Sequence, residues 1–374
     1  MKNYFLVLLF LTVPFLCLYG CKKKDSTPAD SNTELIQKLK AVTDSVLNAP
    51  DLHIPGLVAL VVDKTKGISW LYKAGVSDIP QNLPMDPAYV FRIGSNTKTM
   101  TGTVLLQLVD EGKLKLEDLL SKFFPSFPKA DSITIRMLCN MTSGYFNYSE
   151  STAFTDSMNA NPARVWLPQE LLNFSFSHDP VFYFPVGKGF HYANTNTIIL
   201  GMLIEQLTGT SLKTQITNRI ITPLGLQNTG FLTSGVELPG LHGRGYYEGS
   251  YVPGDDQTEH FDISWGWAAG SGYSTPYELQ KYVEALVGGT FLSDTLQHRR
   301  LTDMIESAAG GYGLCIVHRG SFYGHNGGIP GFTSSMYHSI DKNCTIIIYF
   351  NCQLEYPPDN LFLRYVNILY GTNY

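Results

Sequence analysis

The stretch Tyr89-Val90-Phe91-Arg92-Ile93-Gly94-Ser95-Asn96-Thr97-Lys98 decides how the rest of this chain is interpreted. The apolar residues that follow it (Met100, Val104, Leu105 and Leu108) have helical spacing and predict a helix that ends at Gly112. Ser95 and Lys98 then lie on one face of the first turn, where backbone N–H groups favour negative charge. The lysine is placed to take the proton of the serine, which makes Ser95 a candidate nucleophile. Taken alone, the spacing also fits a capped helix with an exposed lysine.

Two later motifs favour the interpretation of Ser95 as a nucleophile over that of a capped helix with an exposed lysine. Tyr192-Ala193-Asn194 and His325-Asn326-Gly327 complete the order S-x-x-K, Y-x-N and H-x-G. This order resembles the serine β-lactamase and penicillin-binding protein superfamily, in the branch of D-alanyl-D-alanine carboxypeptidases, class C β-lactamases and related esterases. The resemblance extends from about Gly56 to Asn351, with further matching segments at 133–138, 142–144, 223–226 and 269–276.

The resemblance implies a serine hydrolase that forms an acyl-enzyme at Ser95. Its expected substrates are D-amino-acid peptides of the D-alanyl-D-alanine type, such as cell-wall peptides, β-lactams or small esters. Lys98 and Tyr192 are expected to move protons around the serine, in shares that the sequence leaves open. A lysine close to Tyr192 is expected to stabilise the phenolate of that tyrosine. Asn194 is expected to hydrogen-bond Lys98 and a substrate carbonyl, or to cap a helix, a position that asparagine favours.

The third motif is expected to form one edge of the site. His325 is placed on a strand beside the cleft, where it would hold a substrate carboxylate or polarise Tyr192. Gly327 permits close approach of the substrate backbone. By resemblance, the backbone N–H of Gly328 joins that of Ser95 as the oxyanion hole.

One departure from the family pattern bears on the substrate. The β-lactamases have Lys-Thr-Gly at the third motif, whereas His325 carries no fixed positive charge near neutral pH. This difference favours carboxypeptidase or esterase activity over efficient β-lactamase activity. The sequence has no clear equivalent of the deacylating glutamate of class A β-lactamases. Substrate choice is expected to depend on the loops Tyr145–Leu167 and Gly235–Asp262.

The order of predicted elements indicates an α/β (α+β) fold in one domain, residues 34–374. Strands are predicted at 56–62, 68–72, 313–318, 332–339 and 344–350, and a closing helix at 359–370. Residues 114–229 are mostly helical in pattern. We therefore expect an antiparallel sheet assembled from both ends of the chain, flanked by helices, with a mostly helical insertion lobe and a cleft between the two.

The N-terminus has the pattern of a targeting segment. Residues 1–20 are expected to be a signal peptide, because Lys2 precedes an apolar run that ends in Leu18-Tyr19-Gly20-Cys21. This ending resembles a bacterial lipobox, which predicts lipidation of Cys21 and a tether over residues 21–33. The alternative is an uncleaved membrane anchor. The expected location is the bacterial cell envelope, as a membrane-anchored lipoprotein facing the periplasm or the exterior.

Composition excludes several other classes of function. The net charge is −5 and there is no long basic run, which argues against a nucleic-acid partner. The nine histidines are dispersed, so no metal and no cofactor are expected. The four cysteines beyond the N-terminal segment (Cys139, Cys315, Cys344 and Cys352) fit one disulfide among the last three, or buried free thiols. The remaining alternative to an enzyme is a penicillin-binding sensor or cell-wall peptide-binding protein with little turnover.

Overall fold

The computed structural model describes residues 28–247, 255–307, 310–353 and 358–371. Its α-helices are α1 (Pro28–Leu47), α2 (Thr97–Asp110), α3 (Ile135–Cys139), α4 (Thr152–Ala160), α5 (Pro168–Phe176), α6 (Asn194–Thr208), α7 (Leu212–Ile216), α8 (Thr222–Leu224), α9 (Trp267–Gly270), α10 (Pro276–Val287), α11 (Asp294–Thr302) and α12 (Pro358–Tyr370). Its strands are β1 (Gly56–Asp63), β2 (Ile68–Asp78), β3 (Leu83–Pro84), β4 (Phe91–Arg92), β5 (Gly230–Phe231), β6 (Tyr246–Tyr247), β7 (Gly272–Ser274), β8 (Ile305–Ser307), β9 (Gly310–Tyr312), β10 (Val317–Arg319), β11 (Phe322–Ile329), β12 (Phe332–Ser339), β13 (Cys344–Phe350) and β14 (Cys352–Gln353).

A large antiparallel sheet joins the two ends of the sequence. Within the described residues it has nine strands in the order β3-β2-β1-β13-β12-β11-β10-β9-β8. β1 pairs with β13 from Leu57 opposite Phe350 to Asp63 opposite Cys344. The apolar run of β1 is buried almost throughout, because helices cover both faces of the sheet.

Alternate residues of the central strands supply two cores. Leu57, Ala59 and Val61 face α1 and α12, where they pack with residues such as Leu39 and Tyr365. Val58 and Leu60 face the other side, in a larger core that also contains helical-lobe residues from α5 and α6. The sheet and the helical lobe therefore share one core. The turn before α2 lies against β11, and this places the cleft where the lobe meets the sheet.

The predicted fold class is confirmed: helices flank an antiparallel sheet, and a mostly helical lobe is inserted between its strands. The prediction of one strand over residues 313–318 is wrong. Residues 313–316 form a turn in which Cys315 has a positive φ of 57°, and β9 and β10 lie on either side of it. The expected helix at 34–47 begins earlier, at Pro28, so residues 28–33 of the expected tether are helical.

The cysteines of the described ranges form no disulfide: Cys139, Cys315, Cys344 and Cys352 are buried free thiols. The signal peptide and Cys21 lie outside the described residues. Within the part that the structure describes, every helix is too short or too polar to cross a membrane.

Candidate active site

Ser95 lies in a single 3-10 turn that leads directly into α2. Gly94 in this turn has a φ of +51°, and a Cβ atom there would lie 2.9 Å from the backbone nitrogen of Gly328. Glycine is therefore required for the turn to approach β11 so closely. Asn96 donates a hydrogen bond to Ser334 Oγ on β12 at 2.7 Å, which fixes the other side of the turn. Ser95 is presented half-buried to the cleft.

Lys98 is fully buried and lies beside Ser95. Its Nζ is 2.9 Å from Ser95 Oγ and 2.9 Å from the carbonyl oxygen of Ala269, to which it donates. Burial lowers the pKa of Lys98 well below its usual value, against a smaller opposing effect of Cys315. A neutral amine has one lone pair. In this geometry the lone pair of Lys98 can accept the hydroxyl proton of Ser95 while one of its N–H groups still donates to the carbonyl oxygen of Ala269.

Tyr192 lies across the site from Lys98. Lys98 Nζ is 4.7 Å from the centre of the Tyr192 ring, and the phenolic oxygen is shielded from solvent. No hydrogen-bond partner for this oxygen is found among the described residues. Burial raises the pKa of Tyr192, and a smaller effect of the nearby Ser95 hydroxyl opposes it. The expected stabilisation of the phenolate by Lys98 is therefore not observed, because the surroundings of Tyr192 favour the protonated phenol.

Asn194 is the first residue of α6, and Ala193 occupies the cap position instead. The backbone N–H of Asn194 donates to Asn147 Oδ1 at 3.0 Å, and its Nδ2 donates to Ser149 Oγ at 2.9 Å. In the described residues its carboxamide makes no hydrogen bond to Lys98, so the expected Asn194–Lys98 bond is not observed. The loop that precedes α4 holds this side chain instead.

His325 is placed on β11 as expected, but its side chain is buried, with 1% exposed. Its Nδ1 lies 2.6 Å from the carbonyl oxygen of Asn326, which can only accept, so Nδ1 carries the proton. The unprotonated Nε2 lies 3.4 Å from the Tyr312 hydroxyl, which is placed to donate to it. Burial is the main cause that lowers the pKa of His325 to about 3, so the ring is neutral. His325 has no free N–H for a substrate carboxylate or for Tyr192, and neither expected role fits this geometry.

The two glycines of the third motif have different functions in the fold. A Cβ atom at Gly327 would lie 2.0 Å from the carbonyl oxygen of Ile93, so Gly327 permits the Ser95 turn, rather than a substrate, to approach. Gly328 is exposed. Ile329 and Phe332 close a two-residue turn, which makes the next pair, Gly328 with Thr333, a non-hydrogen-bonded pair. The Gly328 N–H therefore points away from β12, toward the open edge of β11 where Ser95 lies, as an oxyanion donor requires.

Two cavities are lined by Ser95, and a third shares Tyr192 and Asn326 with one of them. The main cleft has a volume of about 290 Å³, and Ser95, Tyr192, Asn326, Gly328 and Pro358 are among its lining residues. A narrow slot of about 30 Å³ lies between Ser95, Gly328 and the side chains of Tyr148, Asn194 and Trp265. A side cavity of about 220 Å³ continues from the main cleft past Tyr192 and Asn326.

Sequence reasoning missed several residues that hold the site together. Ala269 supplies the carbonyl for Lys98; its segment had been matched to the family, but without a role. Asn147 and Ser149 hold Asn194, and Tyr312 holds His325; nothing in the local sequence marks these residues. Their contacts join positions far apart in the chain, which a motif search does not detect.

The described residues contain no group of three or more histidine, cysteine, aspartate or glutamate side chains arranged to hold a metal ion. The candidate reacting groups in the described part of the site are the side chains of Ser95, Lys98 and Tyr192.

A serine beside a buried lysine, a tyrosine opposite the pair and an N–H group at the open edge of a strand define a serine hydrolase. The comparison with protein families agrees. The family model described as Beta-lactamase matches residues 33–367. The chain therefore belongs to the β-lactamase family.

Solved structures of similar proteins include amide hydrolases. A D-stereospecific amidohydrolase from Streptomyces sp. is 28% identical, with a TM-score of 0.78 over 91% of this chain and 99% of that one. A D-amino acid amidase from Ochrobactrum anthropi SV3, complexed with L-phenylalanine amide, is 26% identical, with a TM-score of 0.77 over 90% of this chain and 98% of that one.

Curated relatives are matched over smaller parts. The putative penicillin-binding protein PbpX of Bacillus subtilis is 26% identical over 75% of this chain and 66% of its own length. Relatives that share 32% identity are matched over 48% of this chain and only 35% of their own length. The matched region thus spans about a third of those longer proteins.

Proposed function

We propose that this protein hydrolyses amide bonds of D-amino-acid derivatives, that is, D-amino-acid amides and short D-peptides, through an acyl-enzyme at Ser95. The observation that carries the proposal is the 2.9 Å contact between Ser95 Oγ and a fully buried Lys98 Nζ. Such a contact gives a serine hydroxyl the adjacent base that it needs to become a nucleophile.

The geometry supports the following acylation step. Ser95 Oγ bonds to the substrate carbonyl carbon as its proton passes to Lys98 Nζ. The N–H groups of Ser95 and Gly328 hold the negative oxygen of the tetrahedral intermediate. The intermediate collapses when the carbon–nitrogen bond breaks and Tyr192 gives its proton to the leaving nitrogen. The Lys98 ammonium, which lies over the Tyr192 ring, then returns a proton to the phenolate.

Deacylation reverses these transfers with water in place of the leaving amine. Lys98 takes the proton of Tyr192, and the phenolate accepts a proton from the water as the water attacks the ester carbon. The Lys98 ammonium then gives its proton to Ser95 Oγ as the ester carbon–oxygen bond breaks, and the acid product departs. Within the described residues that line the cavities, Tyr192 is the proton donor adjacent to Ser95, and this supports a single Lys98–Tyr192 pair serving both half-reactions.

The charge of the cleft supports an uncharged or amide-terminated substrate. Of the described residues that line the three cavities, Arg319 alone is charged, and it is paired with Asp359 at 2.9 Å. A cleft without an unpaired cation offers little to the terminal carboxylate of a D-alanyl-D-alanine peptide. The similarity to amide hydrolases whose names specify D-stereochemistry supports the same substrate class.

The first test is hydrolysis of D-alanine amide and L-alanine amide by the wild-type protein and by Ser95→Ala. We expect release of ammonia from the D-isomer by the wild type only. Equal rates for Ser95→Ala and the wild type would contradict the role of Ser95. A preference for D-alanyl-D-alanine or for a simple ester over the amide would instead indicate the carboxypeptidase or esterase activity of this family.

The second candidate function, a penicillin-binding sensor with little turnover, is tested by intact mass after incubation with a penicillin and, separately, with a fluorophosphonate. A fluorophosphonate adduct that depends on Ser95, with the penicillin left intact, supports the amidase. A lasting penicillin adduct without amide hydrolysis supports the sensor. Consumption of the penicillin supports a β-lactamase.

We propose from the sequence that the enzyme acts at the cell envelope, anchored by a lipid on Cys21. The support is the apolar run that ends at this cysteine. Metabolic labelling with a fatty acid tests the proposal, since Cys21→Ser is expected to remove both the label and the protein from the membrane fraction. Label retained in Cys21→Ser would contradict it.

A further inference from the structure

The side cavity beyond Tyr192 has no role in the steps above. Its wall is built from the short strands β8, β9 and β10, together with Phe190 from the loop before α6. Ile305, Tyr312 and Val317 lie directly opposite one another on these three strands. Directly opposed residues on neighbouring strands share a face, so these three form one continuous, largely apolar surface.

Aromatic side chains frame the entrance of the side cavity. The Tyr312 ring centre lies 5.9 Å from that of Phe190 and 5.8 Å from that of Tyr192, both at tilted or edge-on angles. These are the distances at which aromatic rings attract one another. The cavity, at about 220 Å³, also exceeds the volume of about 150 Å³ that is known to bind benzene. A six-membered aromatic ring fits it by size and by surface.

The position of the cavity assigns it to one half of the substrate. Tyr192 and Asn326 line both this cavity and the main cleft with Ser95, so a group leaving Ser95 past Tyr192 enters the side cavity. Tyr192 is the proton donor to the leaving nitrogen, and a proton donor must lie on the leaving-group side. The acyl side faces the slot of about 30 Å³ between Tyr148 and Trp265, which has room for a methyl group but not for a ring.

Arg319, the charged side chain among the described residues of the side cavity, does not select an anion. Arg319 donates to the carboxylate of Asp359, which also accepts from Asn326, Ser335 and Tyr337. Asp359 is buried and holds the guanidinium in place, so the arginine carries a counterion. Its planar group is also one on which an aromatic ring can stack.

We infer that the side cavity is a leaving-group subsite for an uncharged aromatic ring, and that the enzyme cleaves a small D-acyl group from an alkylamine that carries such a ring. This inference rests on the proposed function, because it names the substrate class of the same site.

The test uses three substrates with one acyl group. D-alanyl-phenethylamide has the ring, D-alanyl-methylamide lacks it, and D-alanyl-D-phenylalanine has the ring and a carboxylate. We expect kcat/KM for the phenethylamide to exceed that for the methylamide by about tenfold or more, as expected for one buried hydrophobic group. The kcat/KM for the phenethylamide should also be at least as high as that for D-alanyl-D-phenylalanine. Equal rates for the first two, or a tenfold preference for the carboxylate, would overturn the inference.

Variants of residues that line the side cavity test whether the preference for the phenethylamide arises there. Val317→Trp fills the cavity and is expected to reduce the phenethylamide-to-methylamide ratio about tenfold. Val165→Trp is the matched control, because Val165 is 54% exposed and lines none of the three cavities. Phe190→Ala removes one wall of the cavity and is also expected to reduce the phenethylamide-to-methylamide ratio. Because Phe190 is partly exposed, this change should cost little stability. A ratio unchanged in both Val317→Trp and Phe190→Ala would overturn the inference.

A binding measurement separates this inference from the proposed function. Binding of 2-phenylethanol, which has no bond to hydrolyse, is followed by ligand-observed nuclear magnetic resonance. Binding to the wild type and to Val165→Trp, but not to Val317→Trp, supports the ring subsite even if none of the amides is cleaved. In that case the proposed function alone has failed. Binding that is absent, or equal in all three proteins, overturns the subsite.

Discussion

Lys98 shows how the surroundings of one side chain determine its chemistry. In water its amine would be protonated at neutral pH, but here it lies between Ser95 Oγ and the Ala269 carbonyl with no exposed surface. Burial disfavours the charged form and lowers the pKa of Lys98 well below its usual value. In the proposed mechanism, the activity of Lys98 as a base therefore depends on the exclusion of water from this position.

The first prediction concerns pH. The pKa of Lys98 lies well below its usual value, so kcat/KM should rise with pH through that lowered pKa and then level off. Lys98→Arg keeps a charged side chain at every accessible pH and should lose activity by about 10²–10⁴, the usual contribution of a general base. Steady-state kinetics from acid to mildly alkaline pH measure both effects. The exposed Lys188→Arg is the control, and an arginine variant that keeps the wild-type pH profile would contradict the role of Lys98.

His325 gives a prediction for stability. Its pKa is about 3 in the folded protein, against 6.5 for the ordinary side chain, so between these values the unfolded state binds one more proton than the folded state. As pH falls below 6.5, this site therefore removes about 1.4 kcal/mol of unfolding free energy per pH unit. His325→Gln should make the acid slope of unfolding free energy shallower by about this amount.

Urea unfolding at several values of pH between 4 and 6 measures that slope. The exposed His298→Gln on α11 is the control and should keep the wild-type slope. An equal slope in wild type and His325→Gln would show that His325 titrates normally in the folded protein.

The sequence located the reacting residues better than it assigned their contacts. Ser95 and Lys98 were found because their relation is local: three positions on a helix fix their common face. Asn194 and His325 were placed on the expected elements, but their bonding depends on Asn147, Ser149 and Tyr312, which approach from elsewhere in the chain. The protonated nitrogen of His325 follows from a backbone carbonyl at 2.6 Å, which no spacing rule reveals.

The bounds of strands are also predicted well where local sequence determines them, and poorly where contacts with distant residues do. β13 matches its predicted bounds because its apolar run allows few alternatives, and the more polar β12 matches its predicted bounds as well. The prediction of a strand at 313–318 was wrong because Cys315 adopts a left-handed backbone conformation. A cysteine in the sequence gives no sign of that conformation. This turn packs against α2, and Gly102 in that helix marks the contact.

Gly102 is a test of how closely α2 and the Cys315 turn must approach. A Cβ atom at position 102 would lie 2.3 Å from Cys315 Cβ. In an open helix, Gly→Ala would stabilise by about 1 kcal/mol. Here we expect Gly102→Ala to destabilise by about 1–3 kcal/mol, as overpacking does. Because Lys98 lies one turn earlier on α2, kcat should fall too. Chemical unfolding and kinetics measure the two effects.

The matched control is the double variant Gly102→Ala with Cys315→Gly. Removing the Cys315 side chain eliminates the clash, and glycine adopts the φ of 57° without strain. The double variant should therefore recover stability relative to Gly102→Ala. A double variant as unstable as the sum of its single changes would show that the contact is not the cause.

The sheet and the helical lobe are expected to unfold together, although the chain is long enough for two domains. β1 and β13 are neighbours in the sheet but roughly three hundred residues apart in sequence. Pairing them before the lobe between them has folded would close a very long loop, which is entropically costly. The larger core also contains residues of both parts: Leu60 and Ile347 from the sheet, and Leu171 and Leu203 from the lobe. The cleft between them, and with it the distance from Ser95 to Tyr192, depends on that shared core.

Ile347→Ala tests this coupling from the side of the sheet. Ile347 is fully buried on β13, so its truncation should cost about 2–5 kcal/mol. In a Trp70→Phe background, the remaining tryptophans (Trp166, Trp265 and Trp267) all lie outside the large sheet, and their fluorescence reports on the helical side. We expect Ile347→Ala to shift the urea transition seen by this fluorescence and the transition seen by far-ultraviolet circular dichroism by the same free energy. Ile340→Ala, at a site that is 54% exposed, should shift neither. A fluorescence transition that stays in place while the dichroism shifts would show that the lobe folds independently, and the cleft would then be an interface between two separate domains.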